Sequence, residues 1–481
     1  MQYEIVIGLE VHCQLSTESK IFASDSNQFG SEPNTNISVI TLGHPGVLPK
    51  LNKKAVEYAI KMGLACGCEI NRNNYFDRKN YFYPDLPKGY QVSQDKYPIC
   101  KGGGVNVRIK DGKSFKERFL ELHHIHLEED AGKSVHEGES AYTRLDYNRA
   151  GTPLIEIVSE PCMRSAEEAG AYLTEIRKIV RYLDICDGNM EEGSMRADLN
   201  ISIRPVGSEK LGTKVEVKNM NSIRNLQRAV EFEFKRQVKM LEAGETIIQE
   251  TRMFDADTGE TYGMRVKETM NDYRYFPEPD LAPLRISEAW MQEIKNQMPA
   301  LPNELYQQFT KEYGILEEHA AVLTDTRDLA GYFLKTTQFI KNHKAIANWL
   351  TSTIKGYLNE KSIEISELPL KPNKLAEIIS LVDANKVSSS AAAQKLFPLL
   401  VEQPAVSALA LAEANNLIQQ SNTDTLQTLI NEVLSAYPDK VKEFKNGKKG
   451  LLGMFVGEVM KKSKGSADPK LTNQLLLEAL K

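Results

Sequence analysis

The stretch E-I-V-I-G-L-E-V-H (4–12) decides the fold class. Ile5, Ile7, Leu9 and Val11 alternate with Glu4, Val6, Gly8, Glu10 and His12, so a strand here has one apolar face and one mostly polar face. The same alternation returns in Leu199, Ile201 and Ile203 against Asp198, Asn200, Ser202 and Arg204, and in Val215 and Val217 against Lys214, Glu216 and Lys218. Several such strands in one sheet predict a core on one side and a flat or concave polar floor on the other. Helical spacing interrupts them. Ser165 with Glu168 reads as a capping box ahead of Ala169, Leu173, Ile176, Val180 and Leu183. Leu226, Val230, Phe234, Val238 and Leu241 mark a second amphipathic helix that ends near Gly244. Strands and helices in this mixed order predict α+β architecture. From about residue 291 the pattern is nearly all helical, with helices expected near 303–313, 316–323, 327–342 and 344–358 and more from about 371. The expected domains are 1–290, 291–405 and 406–481.

The 481 residues suffice for several domains, and 41% hydrophobic with 26% charged residues is ordinary globular composition. Mean hydropathy is −0.40, and no apolar run approaches the length of a membrane span. Met1 leads directly into the first strand, so neither a signal peptide nor a membrane anchor is expected. The six cysteines form no zinc-binding pattern and no disulfide framework, which favours a reducing cytoplasm. A net charge of −5 argues against a uniformly basic coat for nucleic acid but leaves room for a local basic patch.

Six segments carry residue types suited to chemistry. Glu10 and His12 leave the same face of one strand and are pre-aligned as metal ligands; the bland alternative is a solvated strand face. Glu128, Glu129 and Asp130 are three adjacent acids that need water, cations or a hard divalent metal; the alternative is an acidic turn closed at Gly132. His123, His124 and His126 are less persuasive as ligands. Met190–Asp198 adds Glu192 and Asp198. On 214–218 Glu216 sits between Lys214 and Lys218, which suits a metal–nucleotide floor and equally an ion-pair ladder. Segment 76–85 interleaves Arg78 and Lys79 with aromatics, for stacking and phosphate contact or for simple loop packing. Near the C-terminus Lys440, Lys442, Lys445, Lys448, Lys449, Lys461, Lys462 and Lys464 outnumber the local acids, as a track for RNA backbone or a solvated face. Gly112-Lys113-Ser114 and Gly132-Lys133-Ser134 lack the upstream glycines of a P-loop, and no G-x-S-x-G elbow is present.

Together the segments resemble a known family over essentially the whole chain. They read I-G-L-E-V-H (7–12), P-G-V-L-P-K-L-N (45–52), F-D-R-K-N-Y-F-Y-P-D (76–85), L-E-E-D-A-G-K (127–133) and D-Y-N-R-A-G-T-P-L-I-E-I-V-S-E-P (146–161). Further on come M-E-E-G-S-M-R-A-D (190–198), K-N-M-N-S (218–222), D-Y-R-Y-F-P-E-P-D-L (272–281) and N-G-K-K-G-L-L-G-M-F-V-G-E-V-M-K (446–461). In this order they resemble the GatB family, the B subunits of aspartyl/glutamyl-tRNA(Asn/Gln) amidotransferase.

The resemblance implies a glutamine synthetase-like catalytic cradle, a helical domain and a small YqeY-like helical tail that binds tRNA. It implies ATP- and Mg²⁺-dependent conversion of mischarged Asp-tRNA(Asn) and/or Glu-tRNA(Gln) to the amide, in the cytoplasm and without a membrane. The partners implied are a glutaminase (amidase) subunit, GatA, and a small subunit, GatC, in a heterotrimer. Carried onto this sequence, the catalytic candidates are Glu10, Glu216 and Lys214. The metal candidates are Glu10, His12, Glu128, Glu129 and Glu216, with Asp198 and Glu192 weaker. The nucleotide-phosphate candidates are Arg78, Lys79, Lys214, Lys218 and Arg204, and the tRNA candidates are Lys448, Lys449, Lys461 and Lys462. Many relatives hold a four-cysteine zinc site where this chain has Ala23, Asp25, Ser38 and Thr41, so no structural zinc is expected. The competing readings are a stand-alone ammonia-dependent carboxylate–amine ligase and a non-catalytic tRNA-binding subunit.

Overall fold

A computed structural model of the chain describes residues 2–112, 114–135, 142–266, 273–419, 423–463, 467 and 469–480. Lys113, Asp272 and Lys464, named above, lie outside the described residues. The chain divides into two compact units, Met1–Leu305 and Tyr306–Lys481.

The first unit is built on a ten-stranded sheet. Its strands are β1 (Tyr3–Gln14), β2 (Glu69–Ile70), β3 (Cys100–Lys101), β4 (Gly104–Asp111), β5 (Ser114–Glu129), β6 (Pro153–Ser159), β7 (Met195–Pro205), β8 (Val215–Lys218), β9 (Glu250–Phe254) and β10 (Thr261–Val266). They run β10-β9-β8-β7-β1-β6-β5-β3-β2, with β4 also paired to β5. Every pairing is antiparallel except β8 with β9. β1 lies in the centre, and its register on β7 runs without a break from Tyr3 opposite Pro205 to Cys13 opposite Met195. The expected alternation is observed: Ile7, Leu9 and Val11 are fully buried, as are Leu199, Ile201, Val215 and Val217.

Three helices belong to the same core: α1 (Lys53–Ala65), α2 (Ala166–Tyr182) and α3 (Ile223–Glu242). Tyr172, Leu173, Ile176 and Val180 of α2 and Leu226, Ala229 and Val230 of α3 are buried in it. Ser165 caps α2 by accepting from the Glu168 amide, but the reciprocal half of the expected capping box is different. Glu168 accepts from the Arg164 amide and pairs with Arg118 instead of returning to Ser165. α3 is capped by Ser222 and ends just before Gly244, whose φ of 76° stops it as expected. The helix Glu288–Asn296 adds Met291 and Ile294 to this core, so the first unit extends to Leu305.

Loops complete the first unit. Asp25 accepts from the Ser38 hydroxyl at 2.9 Å and from the Thr41 hydroxyl, a hydrogen-bonded clasp at the positions compared above with a zinc site. Lys20, 1% exposed, donates to the Asn36 carbonyl at 2.6 Å.

The second unit is helical among its described residues. It contains Arg327–Thr337, then His343–Trp349 running through a π-helical turn at Leu350–Ile354 into Lys355–Lys361, and Pro372–Asp383. Leu451–Lys462 follows the expected loop at 446–450. Among the described residues no helix is long and apolar enough to cross a membrane.

An ion-pair knot ties α3 to the sheet edge. The fully buried Glu233 accepts from Arg236, from Gln237 at 3.1 Å and from Thr261, and pairs with Arg252 at 3.1 Å. Removing one partner of such a group leaves the rest buried and uncompensated. Glu233→Ala is therefore expected to destabilise the first unit by about 3–5 kcal/mol, read as a lower midpoint in chemical denaturation. An unchanged midpoint would mean that the knot contributes nothing net.

Candidate metal and phosphate site

Because one face of the sheet is fixed in the core, the other face collects the polar half of each strand. Cross-strand register then decides which residues meet. Glu10 lies opposite Asp198 on β7, and Asn200 lies opposite Glu216 on β8. His12 lies opposite Glu156 on β6, and Glu156 lies opposite His126 on β5. Two triads result. In each, one donor atom per residue lies within 4.8 Å of the others: His12, Glu128 and Glu156 in the first, Glu10, Asp198 and Glu216 in the second.

The first triad is the more buried. His12 Nε2 stands 3.3 Å from Glu156 Oε2, and His126 Nε2 stands 3.5 Å from both Glu156 and Glu128. Burial alone would lower the His12 pKa, but Glu156, with Asp198 and Glu128, outweighs it and lifts it to about 9. Burial likewise opposes the charge on Glu156, and the two imidazoles, with Lys79, still hold its pKa below the carboxylate range. Lys79 is held charged against burial chiefly by Glu128, and its ammonium sits 5.0 Å from the Tyr273 ring centroid.

The second triad is acidic throughout. Burial raises the Glu10 pKa, and the neighbouring Glu156 and Asp198 raise it further, while a 2.9 Å bond from Asn200 opposes. Lys218 bridges Asp198 and, at 3.0 Å, Glu216; Thr251 donates to Glu216 at 2.9 Å. Lys214, expected on the same strand face, lies just before β8, exposed and without a hydrogen bond or ion pair among the described residues.

The donor chemistry fits hard divalent cations. One set is three carboxylates, and the other is two carboxylates with an imidazole. Glu10 in particular is crowded by like charge, which a dication would relieve.

The structure thus brings Glu10, His12, Glu128, Glu216 and the weaker candidate Asp198 together, with Lys218 and Lys214 beside them. Other candidates lie elsewhere. Glu129 points to the opposite side of β5 from Glu128, accepts from the Val92 amide at 2.8 Å, pairs with Lys88 and lines a separate cavity of about 190 Å³. Arg78 is gripped by both oxygens of Glu278 at 2.8 Å, and Arg204 by Glu4 at 2.7 Å. Glu192 is exposed in the turn before β7. In the tail, Lys448 pairs with Glu443 and Lys462 with Glu432, Lys449 lies over the Phe444 ring, and Lys461 is exposed.

Sequence reasoning missed Glu156, the residue that both imidazoles face. Its signal was a single acid within the apolar run P-L-I-E-I-V-S (153–159). His126, less persuasive as a ligand from sequence, faces the same carboxylates, and its Nδ1 lies 3.0 Å from His124 Nε2.

The chain matches two known families. Residues 5–292 match the GatB/GatE catalytic domain family, and residues 331–480 match the GatB domain family. The class is therefore that of catalytic amidotransferase subunits of the GatB/GatE type. The chain is 50% identical to the B subunit of the aspartyl/glutamyl-tRNA(Asn/Gln) amidotransferase of Thermosynechococcus vestitus, over 100% of this chain and 97% of that protein. It is 48% identical to the corresponding protein of Thermodesulfovibrio yellowstonii and 46% identical to that of Persephonella marina, each over the whole of both chains. The chain belongs to the GatB family of aspartyl/glutamyl-tRNA(Asn/Gln) amidotransferase subunits.

Proton competition gives a test of the first triad. A metal needs neutral imidazole, so below about 9 it must displace the His12 proton. Mn²⁺ affinity there is expected to climb by up to about tenfold per pH unit as pH rises from about 7. His12→Gln should flatten the profile, and Glu156→Gln should weaken binding by about tenfold or more. Electron paramagnetic resonance of Mn²⁺ titrations reads both. A flat profile in the unsubstituted chain contradicts His12 as a ligand.

Proposed function

We propose that the chain is the transamidating subunit of a tRNA-dependent amidotransferase. As a carbon–nitrogen ligase, it converts mischarged Asp-tRNA(Asn) and/or Glu-tRNA(Gln) into the amide, with glutamine as the nitrogen source. The observation that carries this reading is the pair of triads side by side on one sheet face, with Lys218 between two acids of the second. The face is read as a cradle of the glutamine synthetase type.

A carboxylate is a poor acyl donor because it lacks a leaving group. Transfer of the terminal phosphoryl group of ATP to the side-chain carboxylate of the aminoacyl group supplies one. Ammonia then attacks the carbonyl carbon and forms the C–N bond. The C–O bond to phosphate breaks, phosphate leaves with the electron pair, and the new nitrogen loses a proton. Mg²⁺ at the two triads would neutralise charge on the triphosphate and on the carboxylate undergoing phosphorylation.

The chain's own groups then have distinct tasks. Glu10, Asp198 and Glu216 hold one cation, and His12, Glu128 and Glu156 the other. Lys79, Lys214 and Lys218 offset charge on the transferred phosphoryl group. Arg78 and Arg204, already held by carboxylates, brace the 76–80 segment and the end of β7. Ammonia would come from a separate amidase subunit, GatA, with the small subunit GatC joining the two in a heterotrimer. The helical second part is read as two modules divided near 405, because residues from Leu426 to Leu480 close a core of their own. Lys448, Lys449, Lys461 and Lys462 on the tail are read as contacts for tRNA phosphates.

The test is amidation with ammonium chloride, Mg²⁺–ATP and separately mischarged Asp-tRNA and Glu-tRNA, with and without the amidase partner. Amide is expected on at least one tRNA. Glu10→Ala and Glu216→Ala should each cut the rate by on the order of a hundredfold or more while circular dichroism stays unchanged. ATP turnover independent of RNA would favour the stand-alone ligase, and absence of Mg²⁺–ATP binding would favour a non-catalytic RNA-binding subunit.

A further inference from the structure

β5 breaks its own alternation at one point. Leu122 and Ile125 both belong to the core, so His123 and His124 between them cannot both follow a period of two. A bulge absorbs the extra residue: Val158 of β6 lies opposite His124, but Ser159 lies opposite Leu122. Neighbours on a regular strand point to opposite faces, whereas here two adjacent imidazoles meet. His123 Nδ1 and His124 Nδ1 stand 2.6 Å apart, with ring centroids at 4.9 Å.

Three observations suit this pair to a metal ion. The first is spacing. Two nitrogens each about 2.0–2.1 Å from one ion stand about 3 Å apart, so the pair needs to open only slightly. His123 is exposed, and its ring has room to make that adjustment. The second is the supply of lone pairs. Burial and the neighbouring His126 and His123 push the His124 pKa down to about 4, so its ring is neutral at pH 7. Between two neutral rings at this distance one Nδ1–H donates to the other Nδ1, and an ion would displace that one proton. The third is the support behind the pair. His124 Nε2 lies 3.0 Å from His126 Nδ1, and His126 Nε2 lies 3.5 Å from both Glu128 and Glu156. With His124 Nδ1 on an ion, its Nε2–H donates to His126 Nδ1, and the His126 Nε2–H faces the carboxylates. A ligating imidazole is oriented by a partner of this kind on its other nitrogen.

We propose that His123 and His124 form a bidentate site for a borderline transition-metal ion of the Ni²⁺ or Zn²⁺ class, with water in the remaining positions. Imidazole nitrogen favours such ions, and the carboxylate-rich triads favour hard ones such as Mg²⁺. Ligand chemistry thus separates this nitrogen pair from the two triads on the same sheet. The site stands on the bulge and the three rings and is independent of the amidation reading.

The test is calorimetric titration of the untagged full chain with Ni²⁺ in excess Mg²⁺, which keeps the triads supplied with the harder ion. The unsubstituted chain is expected to bind Ni²⁺. His123→Ala, at an exposed position, should weaken that binding by about tenfold or more and leave Mn²⁺ binding at the triads unchanged. His124→Gln should weaken Ni²⁺ similarly, and His123→Ala decides alone if His124→Gln fails to fold. His12→Gln should leave Ni²⁺ affinity unchanged. Absence of Ni²⁺ binding by the unsubstituted chain overturns the proposal, and so does unchanged affinity in folded His123→Ala. An equal loss in His12→Gln also overturns it, since the ion would then sit in the first triad.

Discussion

The site depends on the register between β1 and β7. Strand side chains alternate with a period of two, so a slip of one residue would carry Ile7, Leu9 and Val11 into solvent and Glu10 and His12 into the core. Burial of the apolar half of these strands holds the register, and the register places every ionisable group of the opposite face. Glu10 meets Asp198 and His12 meets Glu156 because hydrophobic residues one position away have nowhere else to go.

Concentrating acids on one half-buried surface is unfavourable by itself. The protein offsets it with basic groups from its own strands: His12 and His126 against Glu156, Lys79 toward Glu128, and Lys218 against Asp198 and Glu216. The imidazoles and Lys218 stand where the proposed dications would act. Among the described residues Glu10 has no ion pair, and its pKa is pushed upward by burial and by its acidic neighbours. Its strongest contact is the amide of Asn200, a neutral donor that a metal need not displace. Asp130 shows the contrast. It is locked by Arg196 at 2.8 Å and by Gln14 at 2.7 Å, and it serves to tie strand ends together.

Much of this was legible from alternation. The pair Glu10 and His12, the triplet Lys214, Glu216 and Lys218, and the polar face of 198–204 are local patterns, and local patterns survive folding when one strand face is buried. Glu129 could have been set aside by the same rule, since neighbours on a strand point to opposite faces, and Glu128 and Glu129 do. Glu156 was not legible, because its role comes from strands that meet it from positions 12 and 126, and pairing across such separations is not written in either segment alone. The capping box failed in its second half for a similar reason: Arg118, from a distant strand, competes for Glu168.

Family membership accounts for the fold and the order of motifs, and the sheet face accounts for why those motifs sit where they do. The central claim is that this face holds two divalent cations in two defined triads. It is tested most directly by diffraction from crystals of the full chain soaked in Mn²⁺, with anomalous data collected near the manganese edge. The account predicts two peaks, one among His12, Glu128 and Glu156 and one among Glu10, Asp198 and Glu216. Peaks only at other acids, or none at either triad in an occupied and ordered crystal, would contradict it.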